Sequence, residues 1–326
     1  RDRLRSRGLG DVYKRQKYFW LNSRLLDYMR KKRAFYHCNH SEYTRRNMSW
    51  RTVVISGNAK LDYQMGYMVV RRMDTVKIHL SEIEILIIES TAVSLTAALL
   101  SELSKKKIKV IFCDEKRNPS SELVSYYGAH DTSAKIRTQI AWKSDVQKAV
   151  WTEIVTEKIR KQAGHLAYWK LPESEMLYGY IGEIQFDDAT NREGHAAKVY
   201  FNALFGMDFT RTAENSLNVA LNYGYSLLLS SFNRCVVANG YLTQLGLFHD
   251  NMFNPFNLAS DLMEPFRPIV DYKVKQMNPS KFEHEEKMEV LKILQEEVTV
   301  NGRKEYVNNA IKIYCKSVFD AINDED

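Results

Sequence analysis

Apolar and polar residues alternate in short runs between residues 51 and 113. Six of these runs are separated by turn formers and predict β-strands: RTVVIS, AKLDYQ, GYMVVR, TVKIHL, EIEILIIE and KIKVIFC. Residues 92–106 break the alternation, because leucines there recur at the spacing of one helical face. This part of the chain is therefore predicted to be a small β-rich domain that carries one helix.

Longer helical periods follow a loop at residues 118–121 (NPSS). They cover residues 133–169, 191–205, 213–239, 258–277 and 305–322. Gly206 and Gly240 occupy positions typical of helix C-terminal caps, and residues 300–303 (VNGR) predict a hairpin turn between helices. The predicted fold class is therefore α+β, with a small N-terminal β-rich domain followed by a larger all-α C-terminal domain.

The first 47 residues differ from the rest of the chain in charge and pattern. They contain 14 Lys and Arg against 4 Asp and Glu, although the whole chain has a formal net charge of only +7. The segment has no amphipathic period and gives way at Met48 to a β-type pattern. We interpret residues 1–47 as an extraneous or disordered leader, with Met48 as the expected start. The alternative is a basic arm that holds nucleic acid.

The remaining residues divide into three parts by the same patterns. We assign residues 48–120 to the β-rich N-terminal domain, residues 121–131 to a linker and residues 132–326 to the α-helical domain. Because residues 48–326 carry a slight excess of acidic over basic residues, any binding to DNA must depend on local clusters. Two basic clusters, at residues 135–170 and 267–281, are either DNA contacts or solvated helix faces.

Cysteine usage and hydropathy narrow the class of protein. The four cysteines are widely spaced and form no C-x-x-C pair, so they indicate neither a zinc site nor a disulfide framework, and we expect reduced, mostly buried thiols. No apolar run approaches the roughly 18 residues that span a bilayer, and no secretory signal pattern is present. The expected location is the cytoplasm, without membrane attachment.

The candidate chemistry lies in residues 245–268, LGLFHDNMFNPFNLASDLMEPFRP. An imidazole (His249) and two carboxylates (Asp261 and Glu264) occur there among apolar residues and turn formers, a ligand mix that suits Mg²⁺ or Mn²⁺. Two carboxylates three residues apart on a helix repel each other unless a cation or a proton lies between them. A core histidine and a solvated acidic helix face are the alternatives. Pro265 predicts a bend directly after Glu264.

A second acidic candidate is Glu193, in the first turn of the predicted helix at residues 191–205. The simpler explanation is that Glu193 complements the helix dipole, which is worth about 0.5 kcal/mol. Gly194 is harder to explain, because glycine disfavours a helix and permits close approach of another group.

Three separated motifs closely resemble the family of CRISPR-associated protein 1, and within it the type II branch. They are NREGHAAKVYF at residues 191–201, GLFH at 246–249 and NPFNLASDLMEPFRP at 254–268, in the family's order behind a β-then-α architecture. The resemblance extends from Met48 to the C-terminus, and the leader is what departs from it. The family's metal ligands correspond to Glu193, His249 and Glu264. Asp261 lies at the neighbouring acidic position, where it would help to hold the ion or hydrogen-bond His249.

The resemblance implies a metal-dependent DNA integrase and endonuclease of CRISPR adaptation. Its cofactor would be Mg²⁺ or Mn²⁺, and it would insert protospacer DNA into the CRISPR repeat by attack of a 3′-hydroxyl on a phosphodiester. The implied partners are double-stranded DNA, a second copy of the chain as homodimer, CRISPR-associated protein 2 in a heterohexamer-like integration complex, and other type II CRISPR proteins. A general branched-DNA repair nuclease and a non-catalytic nucleic-acid scaffold are the competing interpretations.

Overall fold

The computed structural model describes residues 36–37, 51–125, 129–300 and 303–323. Its strands are β1 (Tyr36–His37), β2 (Arg51–Ile55), β3 (Ala59–Gln64), β4 (Tyr67–Arg71), β5 (Thr75–His79), β6 (Ile83–Ile88), β7 (Val93–Leu95), β8 (Lys109–Cys113), β9 (Pro119–Glu122), β10 (Glu297–Val300) and β11 (Arg303–Tyr306). Its α-helices are α1 (Ala97–Lys105), α2 (Thr132–Ile140), α3 (Ser144–Tyr168), α4 (Glu173–Glu183), α5 (Arg192–Phe205), α6 (Ser216–Ala238), α7 (Asn257–Met263), α8 (Arg267–Met277), α9 (His284–Leu291) and α10 (Val307–Asn323). A short 3-10 turn, Glu264–Phe266, separates α7 from α8.

The N-terminal part is built from two four-stranded sheets and α1. One sheet has the strand order β2-β6-β8-β9, with β2, β6 and β8 parallel, and the other has the order β5-β4-β3-β7. Buried side chains of both sheets pack with Leu99 and Leu103 of α1 in one apolar core. The six predicted strands are thus confirmed. Helix α1 begins at Ala97 and not at residue 92 as predicted. Residues 93–95 instead form β7, which pairs with β3, and the Thr96 side chain then caps α1 by accepting from Leu99 N.

Strand β6 joins the two halves of the molecule, because successive side chains of a strand point to opposite faces. Leu86 and Ile88 belong to the core of the β-rich part, whereas Ile85 and Ile87 pack into the helical core. The helical part is the larger, with Trp151, Tyr200, Phe232, Phe266 and Tyr314 among its fully buried side chains. The predicted fold class, a small β-rich domain followed by a larger helical one, is confirmed. The division into numbered domains stays a prediction.

Helix α3 lies at the centre of the helical part and contacts α4, α5, α8 and α10. The single predicted helix at residues 133–169 is in fact two helices, α2 and α3. The interruption lies at Trp142, which is buried and donates an indole hydrogen bond to Asn323 Oδ1 at 3.0 Å. This tertiary contact outweighs the helical pattern on either side. The sequence patterns did not predict helices α4 and α9.

Strands β10 and β11 form the predicted hairpin, although Asn301 and Gly302 of its turn lie outside the described residues. Strand β10 also pairs with β1, so two residues of the leader, Tyr36 and His37, take part in a sheet. The rest of the leader lies outside the described residues. Cys113, Cys235 and Cys315 are free and buried as expected, and Cys38 lies outside the described ranges. Each helix in those ranges is too short or too polar to span a bilayer.

Candidate functional site

Helix α3 contributes two buried side chains to the candidate site, Trp151 and Lys158, which are seven residues apart. This spacing places both on the same helix face. The Trp151 ring stacks flat on Phe248, with centroids 4.5 Å apart, and meets the His249 ring edge-on at 5.8 Å. Lys158 is buried two turns further along. One face of α3 therefore fixes the position of the loop that carries His249.

Glu193 is positioned by the start of α5. Both carboxylate oxygens of Asp188 accept from this first turn, at Arg192 N (2.8 Å) and Glu193 N (3.0 Å). Asn191 adopts a left-handed φ of 52° and its side chain accepts from Gly194 N at 3.2 Å. A Cβ on Gly194 would lie 2.7 Å from the Asn191 Oδ1 atom. The close approach of the capping Asn191 side chain therefore explains why residue 194 is a glycine.

His249 is held by Asp261, which projects from α7 and is fully buried. Oδ2 of Asp261 accepts from Leu247 N (2.6 Å) and Phe248 N (3.1 Å), and Oδ1 accepts from His249 N (3.2 Å) and pairs with His249 Nδ1 (2.5 Å). The loop approaches this carboxylate so closely that a Cβ on Gly246 would lie 2.8 Å from Oδ2 and 2.3 Å from the His249 carbonyl oxygen. The predicted hydrogen bond between Asp261 and His249 is therefore present.

Glu264 begins the short 3-10 turn Glu264–Phe266, which forms the bend predicted at Pro265. Its Oε1 accepts from Arg267 Nε at 2.7 Å, and its Oε2 accepts from Lys158 Nζ at 2.5 Å. The same ammonium also donates to Oε1 of Glu193. Two of the three predicted ligands thus meet at one cation, and that cation is a lysine of α3.

The charges of the site shift the pKa values of its members. Burial disfavours the charge on Lys158, but Glu264 and Glu193 outweigh it and raise the pKa of the ammonium above its usual value. Burial would likewise raise the pKa of Glu264, yet Lys158 and Arg267 hold it down at about 2. The hydrogen bond to Asp261 raises the pKa of His249 against the opposing effect of burial, with smaller contributions from Glu264 and Glu193. His249 is therefore close enough to both glutamates to sense their charge.

The donor set suits a divalent cation, although no three His, Cys, Asp or Glu side chains of the described residues are grouped as a ready-made metal site. Glu193 and Glu264 offer the carboxylate oxygens that Mg²⁺ and Mn²⁺ prefer. With Nδ1 of His249 bonded to Asp261, Nε2 is the ring nitrogen left for a ligand, as in carboxylate–histidine–metal arrangements. The Lys158 ammonium lies between the two carboxylates and is their shared counter-charge.

The other basic residues named from the sequence are mostly paired within the protein. Lys273 donates to Glu289, Lys275 to the Leu204 carbonyl and Arg267 to Glu264, so the cluster at residues 267–281 is largely committed internally. His195 is exposed, which agrees with a helix turning it away from Glu193. Lys158 belongs to the other basic cluster, and the sequence patterns did not single out its role in the site.

Comparison with known proteins shows which family this chain resembles. The family model described as "CRISPR associated protein Cas1" matches residues 52–309. The chain is 34% identical over 235 residues to the CRISPR-associated endonuclease Cas1 of Neisseria meningitidis serogroup C (strain 8013), which covers 70% of this chain and 75% of the relative.

Solved structures share the fold at lower identity. A chain of a casposase bound to integration product aligns with a TM-score of 0.68 and 16% identity over 86% of this chain and 92% of that one. A chain of a Cas6-RT-Cas1–Cas2 complex aligns with a TM-score of 0.66 and 17% identity over 88% of this chain, which corresponds to only 36% of that longer chain.

Proposed function

Since the chain belongs to the family of CRISPR-associated protein Cas1, we propose that it is a divalent-metal-dependent DNA integrase and endonuclease of CRISPR adaptation. The observation that carries the proposal is the meeting of Glu193 and Glu264, from two separate elements, at one buried cation, with His249 held nearby by Asp261. Buried carboxylates need a cation as counter-charge. The shared fold with a casposase bound to integration product adds support for strand transfer.

The proposed reaction is a transesterification. The 3′-hydroxyl oxygen of a protospacer strand forms a bond to phosphorus at the edge of a CRISPR repeat, while the bond from phosphorus to a repeat 3′ oxygen breaks and that oxygen becomes the new 3′-hydroxyl. A bound Mg²⁺ or Mn²⁺ supplies Lewis-acid stabilisation of the charge on the phosphoryl, attacking and leaving oxygens.

The protein's own residues have separate parts in this scheme. Glu193, His249 and Glu264 would hold the ion through two carboxylates and one ring nitrogen. Asp261 fixes the His249 ring through Nδ1, so that the orientation of Nε2 is set before DNA arrives. Arg267 donates to Oε1 of Glu264, so Oε2, which accepts from Lys158, is the oxygen that would face the ion. Asp261 acts on the ring in this scheme and is not itself a ligand.

The proposed assembly follows the same family membership. We propose a homodimer that binds double-stranded protospacer and repeat DNA together with CRISPR-associated protein 2. The structural likeness to a chain of a Cas6-RT-Cas1–Cas2 complex supports CRISPR-associated protein 2 as the partner. Assignment to the type II branch, with other type II CRISPR proteins as partners and a cytoplasmic location, belongs to the same proposal.

Strand transfer of a labelled protospacer into a supercoiled repeat plasmid tests this function. Glu193→Ala, His249→Ala and Glu264→Ala should each abolish the product in Mg²⁺ or Mn²⁺. Glu102→Ala removes a carboxylate of α1 that is paired with the exposed Lys105, and should retain the product. Full activity in the three site variants would reject the assignment.

Two further results would point to the competing functions. Cleavage of branched DNA without repeat-specific insertion would favour a repair nuclease. A scaffold would show no response of its stability to Mn²⁺, whereas binding at 100 times the dissociation constant stabilises a protein by about 2.7 kcal/mol.

A further inference from the structure

Lys158 makes an unusual set of contacts for a lysine. Its side chain is 9% exposed, and its ammonium donates to Glu193, whose side chain is 27% exposed, and to Glu264, whose side chain is 5% exposed. The three residues come from α3, α5 and the 3-10 turn after α7. The lysine therefore joins three elements at the point where the proposed ligands meet.

The arrangement is more than a way to satisfy a buried lysine. The buried ammonium of Lys109 is satisfied by one carboxylate, that of Glu122, and one backbone carbonyl, that of Ser230. Lys158 has two carboxylates, and without it Glu193 and Glu264 would share only one counter-charge, that of Arg267 on Oε1 of Glu264. The lysine head is a compact point charge on a flexible stem, so it can leave the carboxylates by rotation of its side chain without a change in the backbone.

Resting on the proposed function, we propose that Lys158 is a built-in counter-ion of the metal site. In the metal-free protein its ammonium holds Glu193 and Glu264 in place, and a divalent ion that binds these carboxylates displaces it. Lys158 is thus a positioning residue that competes with the metal and preserves the ligand geometry until the metal arrives.

Competition makes a prediction that a purely structural role does not. If Lys158 must leave, its removal should tighten metal binding even though it weakens the fold. If Lys158 only joins three elements and takes no part in the charge balance of the site, its removal should weaken or leave unchanged the affinity for metal. Opposite movement of affinity and stability therefore distinguishes a counter-ion from a purely structural lysine, whereas departure of the ammonium is detected by its NMR signal.

The experiment measures Mn²⁺ affinity of the full chain without DNA, by electron paramagnetic resonance of free Mn²⁺. Lys158→Met should bind Mn²⁺ at least about tenfold more tightly than the wild type, a change equivalent to about 1.4 kcal/mol. Lys158→Arg keeps a competing cation and should bind no more tightly than the wild type. Lys109→Met removes a buried, carboxylate-paired lysine elsewhere and should leave Mn²⁺ affinity unchanged.

A second measurement uses the wild type itself, in case Lys158→Met does not fold. The lysine Cε resonances are observed by NMR, and those of Lys158 and Lys109 are assigned by their loss in Lys158→Arg and Lys109→Met. Saturation with Mg²⁺ should shift the Lys158 signal and leave that of Lys109 in place. An unmoved Lys158 signal at saturation would overturn the inference.

The outcomes separate this inference from the function on which it rests. Wild-type Mn²⁺ binding that is lost in Glu193→Ala, together with unchanged affinity in Lys158→Met, overturns the role of Lys158 and leaves the proposed function standing. Absence of Mn²⁺ binding in the wild type and in both Lys158 variants overturns both.

Discussion

Asp261→Ala is the substitution whose consequence is best defined by the structure. The carboxylate is 0% exposed and accepts hydrogen bonds at both oxygens. Three backbone N–H groups, of Leu247, Phe248 and His249, donate to it, and the His249 ring pairs with it at 2.5 Å. Alanine removes every one of these acceptors at once, and with them the fixed conformation of the loop.

The magnitude follows from the groups left without a partner. Each buried donor that loses its acceptor costs about 1–3 kcal/mol, and bonds to a charged acceptor lie at the upper end. The costs do not add fully, because the loop carries the half-exposed Phe248 and can turn some donors towards water. We expect a loss of about 3–5 kcal/mol in the free energy of unfolding, the range for breaking a buried charged pair.

Urea denaturation followed by tryptophan fluorescence measures this loss, since Trp151 packs against the same loop. The matched control is Asp250→Ala, which removes an exposed carboxylate next to His249 and should change stability by no more than about 0.5 kcal/mol. If Asp261→Ala unfolded within about 1 kcal/mol of the wild type with an unchanged denaturant slope, the assigned network of hydrogen bonds would be wrong.

Three further outcomes are expected. Gly246→Ala should destabilise the protein by about 2 kcal/mol or more, because its Cβ would lie 2.3 Å from a backbone oxygen, whereas Gly182→Ala in α4 meets nothing within 4 Å and should be neutral or stabilising in the same denaturation assay. Asp188→Ala should cost about 0.5–2 kcal/mol through loss of the cap on α5, seen as a lower melting temperature. Burial raises the pKa of Asp271 from 3.8 to about 6, so its contribution to stability is full below about pH 4 and falls by about 3 kcal/mol as pH rises through 6. Asp271→Asn should flatten this dependence of the unfolding free energy on pH, and an unchanged dependence would refute the assignment.

The sequence patterns predicted elements well where local signals decided the outcome. The alternating strands and the cap at Gly206 are set by neighbouring residues, and so is the bend after Glu264, where Pro265 lacks a backbone donor. Patterns failed where distant contacts decided. The break between α2 and α3 depends on Trp142 reaching Asn323, which is 181 residues away in the chain. A local window contains nothing of that contact.

The residues of the candidate site also differ in how far their roles could be predicted from the sequence. Glu264 stands out by its apolar setting and Glu193 is identified by the family resemblance, and the structure brings the two together. Lys158 does not stand out in the same way. It lies in a charged stretch of α3 in which the Arg160 side chain is 40% exposed, so the local pattern does not distinguish a buried lysine from a solvent-facing one.

A buried lysine must find a counter-charge, because desolvation of an unpaired ammonium costs several kcal/mol. What sequence alone does not provide is the identity of the partner. Glu193 and Glu264 lie 35 and 106 residues beyond Lys158, and only the packing of α5 and of the turn after α7 against α3 brings them to it. The fold thus brings two carboxylates together with the charges of Lys158 and Arg267 into one balanced cluster, and under the proposed function a divalent ion would take the place of the lysine.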